Sequence, residues 1–328
     1  MVTSHAGHTL GRIVLTAVVV GSTCALLVDA QTALTAPSPL QSSSGREPYS
    51  PPARASRNTA PEKYAYSWPI QPFRRQHPVR GYFGDPRIAN HRRSRQFHFG
   101  IDISAPNGTP VFATLTGTAS IHPLHATTIL IASPRAEFSY WHVIPAISNG
   151  QRVVAYRTVI GHVEAPYAHV HFSEMRGGRY LNPLRPGALG PYRDDTRPTI
   201  RSVVLDRDLT LVAQAYDETP IAIPRPWHDL PVMPALVRWR VLDAKRRPLT
   251  DWSSAVDFRL TIPPKSSFDN VWARGTAQNH VRAPGRYRVV LSRGIDALRP
   301  GSYLVEIAVR DTRDNGSSSR FAVVRPDH

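Results

Sequence analysis

Cysteine is almost absent. The 328 residues include one, Cys24, and it sits in an apolar segment expected to be removed. The mature protein then has no cysteine, which excludes disulfides and thiolate metal sites. Any metal must be held by His, Asp or Glu. Long hydrophobic runs are also lacking: the apolar stretch at 13–28 is shorter than the ~20 residues a spanning helix needs. No convincing amphipathic helix is visible. With 31 Pro and 20 Gly, the composition favours turns, strands and linkers. Acidic residues are in short supply, 24 against 40 basic ones, for a net +16. The basic residues are nearly all Arg and are scattered rather than gathered on one helix. That is the pattern of a GC-rich genome. It also suits attraction to an anionic polymer, either nucleic acid or an acidic cell-wall polymer.

What is present divides into segments. Arg12, the apolar run and then Val28-Asp29-Ala30 read as a signal peptide over 1–30. Left uncleaved, the segment would serve as a membrane anchor. Cys24 after Gly21-Ser22-Thr23 is a poor lipobox. Residues 31–63 are rich in Ser, Pro, Ala and Thr without apolar periodicity, as in a disordered linker. From 64 to 192 short strands are separated by Gly, Pro and Asn, which predicts an all-β domain with strands at 109–113, 127–132, 153–160 and 169–172. After a polar, proline-bearing break, residues 197–328 alternate apolar with polar at 199–205, 210–216, 237–241, 287–291 and 303–309. That spacing predicts a β-sandwich of the fibronectin or immunoglobulin kind. Two domains also suit the chain length.

Chemistry concentrates in three stretches. In His98-Phe99-Gly100-Ile101-Asp102 the two ligand-capable residues are four apart, which on an extended segment puts both on one face. In His169-Val170-His171-Phe172 the two imidazoles share a face, with Val170 and Phe172 turned to the core. Tyr140-Trp141-His142-Val143 ends an aromatic strand. Imidazole binds zinc at ~2.0–2.1 Å and a carboxylate oxygen at ~2.0–2.2 Å. Two His and one Asp leave the fourth position open, the mark of a catalytic zinc. Such a metal lowers the pKa of bound water toward ~7 and polarises a carbonyl. The remaining imidazoles then suit a general base or an oxyanion donor. Spacing does not say which of His169 and His171 binds. The chain holds 14 His. Of these, His77, His91, His122, His125, His162, His228 and His280 have no partner at useful spacing and read as surface residues.

These stretches, in their order, resemble the lysostaphin/LytM-type zinc endopeptidases. Gly81-Tyr82-Phe83-Gly84-Asp85-Pro86-Arg87 resembles the family's opening FG-x-R turn. His98 to Asp102, followed by Gly108-Thr109-Pro110-Val111-Phe112-Ala113, resembles H-x-G-x-D and G-T-P-V-x-A. Tyr140 to Val143 resembles Y-x-H-L, Gly150-Gln151 to Val154 the G-Q-x-V segment, and Val159-Ile160-Gly161 the I-G segment. His169 to Phe172 resembles H-L-H-F, and Asn182-Pro183 the closing N-P. The matches span roughly residues 68–186. The resemblance implies a compact antiparallel β fold with an open groove. It implies Zn2+ held by His98, Asp102 and His171, with His142 and His169 as catalytic partners. The implied substrate is the stem peptides or crosslinks of peptidoglycan.

Three features depart from the family or fall outside its motifs. The link Gly161 to Ala168 is short where the family has a Gly/Ser/Thr-rich stretch lining the groove, which touches peptide specificity and turnover. Ser173-Glu174 follows the second pair, with Glu174 either near the site or a solvated strand end. The insert Asn90-His91-Arg92-Arg93-Ser94-Arg95 is a solvated loop or a contact for wall polymer. The leading expectation is a secreted, wall-associated, monomeric metalloendopeptidase whose partner is peptidoglycan or another anionic wall polymer. A second is a catalytically weak or inactive module that binds cell wall or activates another wall hydrolase. Nucleic-acid binding rests on charge alone, without a stacking platform or groove-reading helix, and is not expected.

Overall fold

The structure is a computed structural model that describes residues 63–88, 95–206, 208–281, 283–295 and 298–327. The expected signal peptide, nearly all of the linker, His91 and most of the charged insert lie outside the described residues. The described residues form an almost wholly β architecture of antiparallel sheets, with one four-residue α-helix, Phe268–Val271. No helix among them is long and apolar enough to cross a membrane.

One eight-stranded sheet carries the predicted chemistry. Across it run Val79–Gly81, Ile101–Ser104, His169–Arg176, Glu137–Trp141, His125–Ala132, Gly117–His122 and Arg152–Val153, with Arg179–Leu181 paired to the far end of His169–Arg176. Period-two alternation explains its two faces. Ile101 and Ile103, Val170 and Phe172, Ile129 and Ile131, and Tyr140 are all fully buried. Each removes enough apolar surface to contribute about 1.5–3 kcal/mol. The residues between them, Asp102, His169 and His171, are thereby turned to the opposite face. Trp68 closes the core from outside the sheet, donating its indole N–H to the Pro191 carbonyl at 2.9 Å. A smaller sheet joins Pro110–Phe112, Val159–Val163 and Val143–Pro145.

The strand expected over 153–160 is not one element. Arg152–Val153 pairs with Gly117 and Thr118 in the large sheet, whereas Val159–Val163 belongs to the small one. Between them the chain turns, with Tyr156 at φ 59° donating its N–H to the Ala113 carbonyl. An apolar pattern reads the same when neighbouring residues serve two different sheets.

The C-terminal region forms two further antiparallel sheets. One orders Thr199–Leu205, Leu211–Tyr216 and Arg288–Ser292; the other orders Ser253–Asp257, Leu236–Leu242, Gly301–Arg310 and Gly316–Arg325. The five strands expected there fall on these within one or two residues. Their buried faces share a second core that also takes in Phe83 and Phe97. Gly84 makes this contact possible. Its φ is 91°, and a Cβ there would lie 2.3 Å from the Phe258 ring. Asn182 adds polar ties, donating from its backbone to the Leu260 carbonyl and from its side chain to that of Phe258.

Candidate metal centre

Three strands deliver the ligand-capable groups. Asp102 lies in Ile101–Ser104 directly opposite His171, and His171 lies directly opposite Trp141. Cross-strand neighbours carry Cβ atoms ~4.5–5.5 Å apart, so their side chains meet. His98 follows the short strand Gln96–Phe97. It is pinned by two backbone hydrogen bonds, Gly84 N–H to His98 C=O and His98 N–H to Asp85 C=O, both 2.8 Å. The sheet and this turn bring His98 Nε2, Asp102 Oδ1 and His171 Nδ1 together. The separations are 2.7 Å between the imidazoles and 3.1 Å from each to the carboxylate oxygen. All three residues are buried.

The donor set fits a small divalent metal. Tetrahedral bonds of ~2.0–2.2 Å place adjacent donor atoms ~3.3–3.6 Å apart; the two edges to the carboxylate, at 3.1 Å, are a few tenths of an ångström tighter, and the imidazole edge, at 2.7 Å, is tighter still. The second ring nitrogen of His98 donates to the Tyr82 carbonyl at 2.8 Å, which leaves the Nε2 lone pair facing the cluster. A metal-bound histidine is commonly oriented in this way. The spare oxygen of Asp102 accepts from Arg87 Nη2 at 2.6 Å. A Cβ on Gly81 would sit 2.3 Å from that same oxygen, so only glycine admits the pair. His171 Nε2 is buried without a hydrogen-bond partner. Its ring is instead held by Phe99, 4.7 Å away edge to face.

The electrostatics favour ligation. Burial pushes the Asp102 carboxyl up, but His98 and His169 in their protonated forms, and the permanently charged Arg87, outweigh it and hold the group well below the usual carboxylate range. Burial lowers the His98 imidazole, with repulsion from Arg87 adding to it. Burial likewise pushes His171, His169 and His142 down to about 4. An ionised carboxylate among neutral imidazoles is the protonation pattern a metal requires.

His142 and His169 stand beside the triangle. His169 Nε2 is 3.5 Å from Asp102 Oδ1, and the two imidazole centroids are 4.7 Å apart. His142 ends the strand Glu137–Trp141 at φ 61°, a conformation few non-glycine residues adopt. Two contacts maintain it. Its carbonyl accepts from Glu164 N–H at 2.8 Å, and its ring stacks on Tyr167 at 3.9 Å. Tyr167 belongs to the short link after Gly161, so that link supplies a wall of the site.

All five residues singled out from the sequence therefore meet in one place. Glu174 does not join them. It is fully buried on the opposite face, accepting from Tyr66 Oη at 2.5 Å and from both terminal nitrogens of Arg185 at 2.7 and 2.9 Å. Neither a site residue nor a solvated strand end, it closes a core ion pair. Of the charged insert, only Arg95 is described, and it pairs with Asp269 at 3.3 Å. His122 and His125 are not isolated. A hairpin brings their rings 4.9 Å apart and sets both against Trp141. Spacing overlooked Arg80, Arg87, Tyr167 and Phe99, each of which touches a ligand or a catalytic candidate. Among them, Arg87 stands in the FG-x-R motif.

A second group, Asp194, Asp217 and Asp311, also brings carboxylate oxygens within 4.8 Å of one another. It is internally satisfied. Thr196 and Tyr192 donate to Asp194, and Asn315 and the Arg313 N–H donate to Asp311. The Glu218 N–H donates to Asp217.

No protein-family model and no curated protein matches the chain. Among solved structures it is similar to LytU, at 25% identity over 34% of this chain and 86% of that one, with a TM-score of 0.27. It is similar to a catalytic-domain variant of the prophage-encoded M23 protein EnpA from Enterococcus faecalis, at 23% identity over 34% and 89%, TM-score 0.26. It is also similar to lysostaphin, at 12% identity over 75% and 94%, TM-score 0.27.

Proposed function

We propose that the protein is a secreted zinc-dependent endopeptidase that hydrolyses peptide bonds of bacterial peptidoglycan, in stem peptides or crosslinks. One observation carries the reading. His98 Nε2, Asp102 Oδ1 and His171 Nδ1 converge to within 3.1 Å of one another, with His142 and His169 beside them. Two neutral nitrogens and one carboxylate oxygen suit Zn2+. When bound, zinc would supply an activated water and polarise the scissile carbonyl.

The chain's own residues do the rest. Arg87 and the Tyr82 carbonyl hold the carboxylate and the first imidazole in place. His142 and His169, both lowered to about 4, are neutral at working pH and can take or give a proton at the reacting centre. The net +16 draws the protein to anionic wall polymer, and the N-terminal 30 residues direct export.

The test uses purified sacculi. Wild-type protein should release peptide fragments, and a chelator should stop the release. His171→Ala releasing the same fragments as wild type would overturn the proposal.

A further inference from the structure

Arg80 occupies a position that the reaction as described does not use. It lies in the edge strand Val79–Gly81, beside Ile101–Ser104. Its Nη2 is 2.6 Å from His169 Nδ1 and 2.7 Å from the Tyr167 carbonyl. Above its guanidinium lies the Trp227 ring, 4.4 Å from Cζ to centroid. Trp227 comes from the loop between Leu211–Tyr216 and Leu236–Leu242, in the C-terminal region.

These contacts determine where His169 carries its proton. Guanidinium has only donors and does not deprotonate in proteins. A separation of 2.6 Å therefore requires Nδ1 to present a lone pair, because an N–H at Nδ1 would meet the Arg80 N–H head on. The Tyr167 carbonyl lies 2.9 Å from the same Nδ1 and would otherwise hold a proton there. Arg80 donates to both and removes that choice. The ring proton then sits on Nε2, the nitrogen 3.5 Å from Asp102 Oδ1, facing the reaction centre.

We infer that Arg80 is a positioning residue that holds His169 as its Nε2–H tautomer, and that Trp227 clamps Arg80 in that role. His169 is thereby a hydrogen-bond donor at the centre, suited to a developing oxyanion. His142, whose ring meets only Tyr167 and His169 among its aromatic neighbours, is left as the base. The assignment of these two roles rests on the endopeptidase reading. The tautomer itself does not, because Arg80 imposes it with or without substrate.

The decisive measurement is side-chain nitrogen NMR on the metal-free full chain with 15N-labelled histidine. The His169 signals are assigned by their loss in His169→Asn. Wild type is expected to show a protonated Nε2 and an unprotonated Nδ1. A protonated Nδ1 in wild type overturns the inference without any variant. Arg80→Ala should move the proton to Nδ1, where the Tyr167 carbonyl accepts it, and Arg80→Lys should restore Nε2–H at least in part. Trp227→Ala should produce a mixture of tautomers that Trp227→Phe does not. An unchanged tautomer in Arg80→Ala would also overturn it. Activity on sacculi enters none of these readings, so loss of the peptidase proposal would leave the tautomer result standing.

Discussion

At the scale of single residues, the candidate metal centre depends on groups outside its donor triangle. Arg87→Ala removes the donor that holds the spare oxygen of Asp102, and metal affinity should fall ~10–100-fold in a chelator competition. Gly81→Ala should do at least as much, since its Cβ and that oxygen would require the same space. The imidazoles set a pH response. His142, His169 and His171 titrate near 4 in the fold and near ~6.5 when unfolded. Above ~6.5 both states are neutral there and these imidazoles cost the fold nothing. As pH falls from ~6.5 toward 4, only the unfolded chain takes up protons, so stability is lost across that window. Melting temperatures of the metal-free protein over pH 4–8 should show this fall, steeper when metal is bound because proton and metal compete. Asp102 and the HxH pair were readable from sequence because alternation fixes their face. Arg80 was not, because nothing local links it to His169, 89 residues away, nor was the stacking of Tyr167 on His142, which only the fold brings about. Spacing left His169 and His171 equivalent; in the fold it is His171 whose Nδ1 lies against His98 and Asp102, while His169 stands 3.5 Å from the same carboxylate oxygen.

At the scale of elements, the strand His169–Arg176 is asymmetric in chemistry. His169 and His171 project from one face while Val170, Phe172 and Glu174 fill the other. Glu174→Ala should be severe, because Arg185 and the Tyr66 hydroxyl would lose their shared acceptor inside the core. Breaking a buried pair in this way costs about 3–5 kcal/mol, readable as a lowered urea midpoint without direct damage to the metal triangle. Strands such as Thr199–Leu205 and Leu236–Leu242 could be read from their period of two, whereas Gly117–His122 and Ser253–Asp257, polar along much of their length, could not. The single strand expected over 153–160 failed because the stretch is divided between two sheets by a turn at Tyr156. Gly316–Arg325 was missed for a different reason. It opens on Gly316-Ser317-Ser318-Ser319, which reads as a loop and becomes a strand only by pairing with Gly301–Arg310.

At the scale of the whole molecule, stability should also respond to the carboxylates at Asp194, Asp217 and Asp311. Burial, with repulsion from Asp194 and Asp311, pushes Asp217 up to about 8, and burial pushes Asp311 to about 6. A raised carboxyl keeps its proton in the fold where the unfolded chain has released it. Stability is therefore intact below pH ~4 and is lost as pH rises through about 8. Asp217→Asn should raise the melting temperature at pH 8–9, by ~2–4 °C for each kcal/mol recovered, and change little at pH ~4. The turn at Gly84 has its own consequence at this scale. It carries the partners of the first and second ligands, Tyr82 and Arg87, yet its Phe83, together with Phe97 just before His98, lies in the core built by the C-terminal strands. A chain ending near residue 192 would keep every metal ligand and lose the floor on which two of them rest. In this chain the keel of the metal-binding candidate is laid more than a hundred residues downstream, at Phe258, so the two halves of the sequence must be made together for the turn to set.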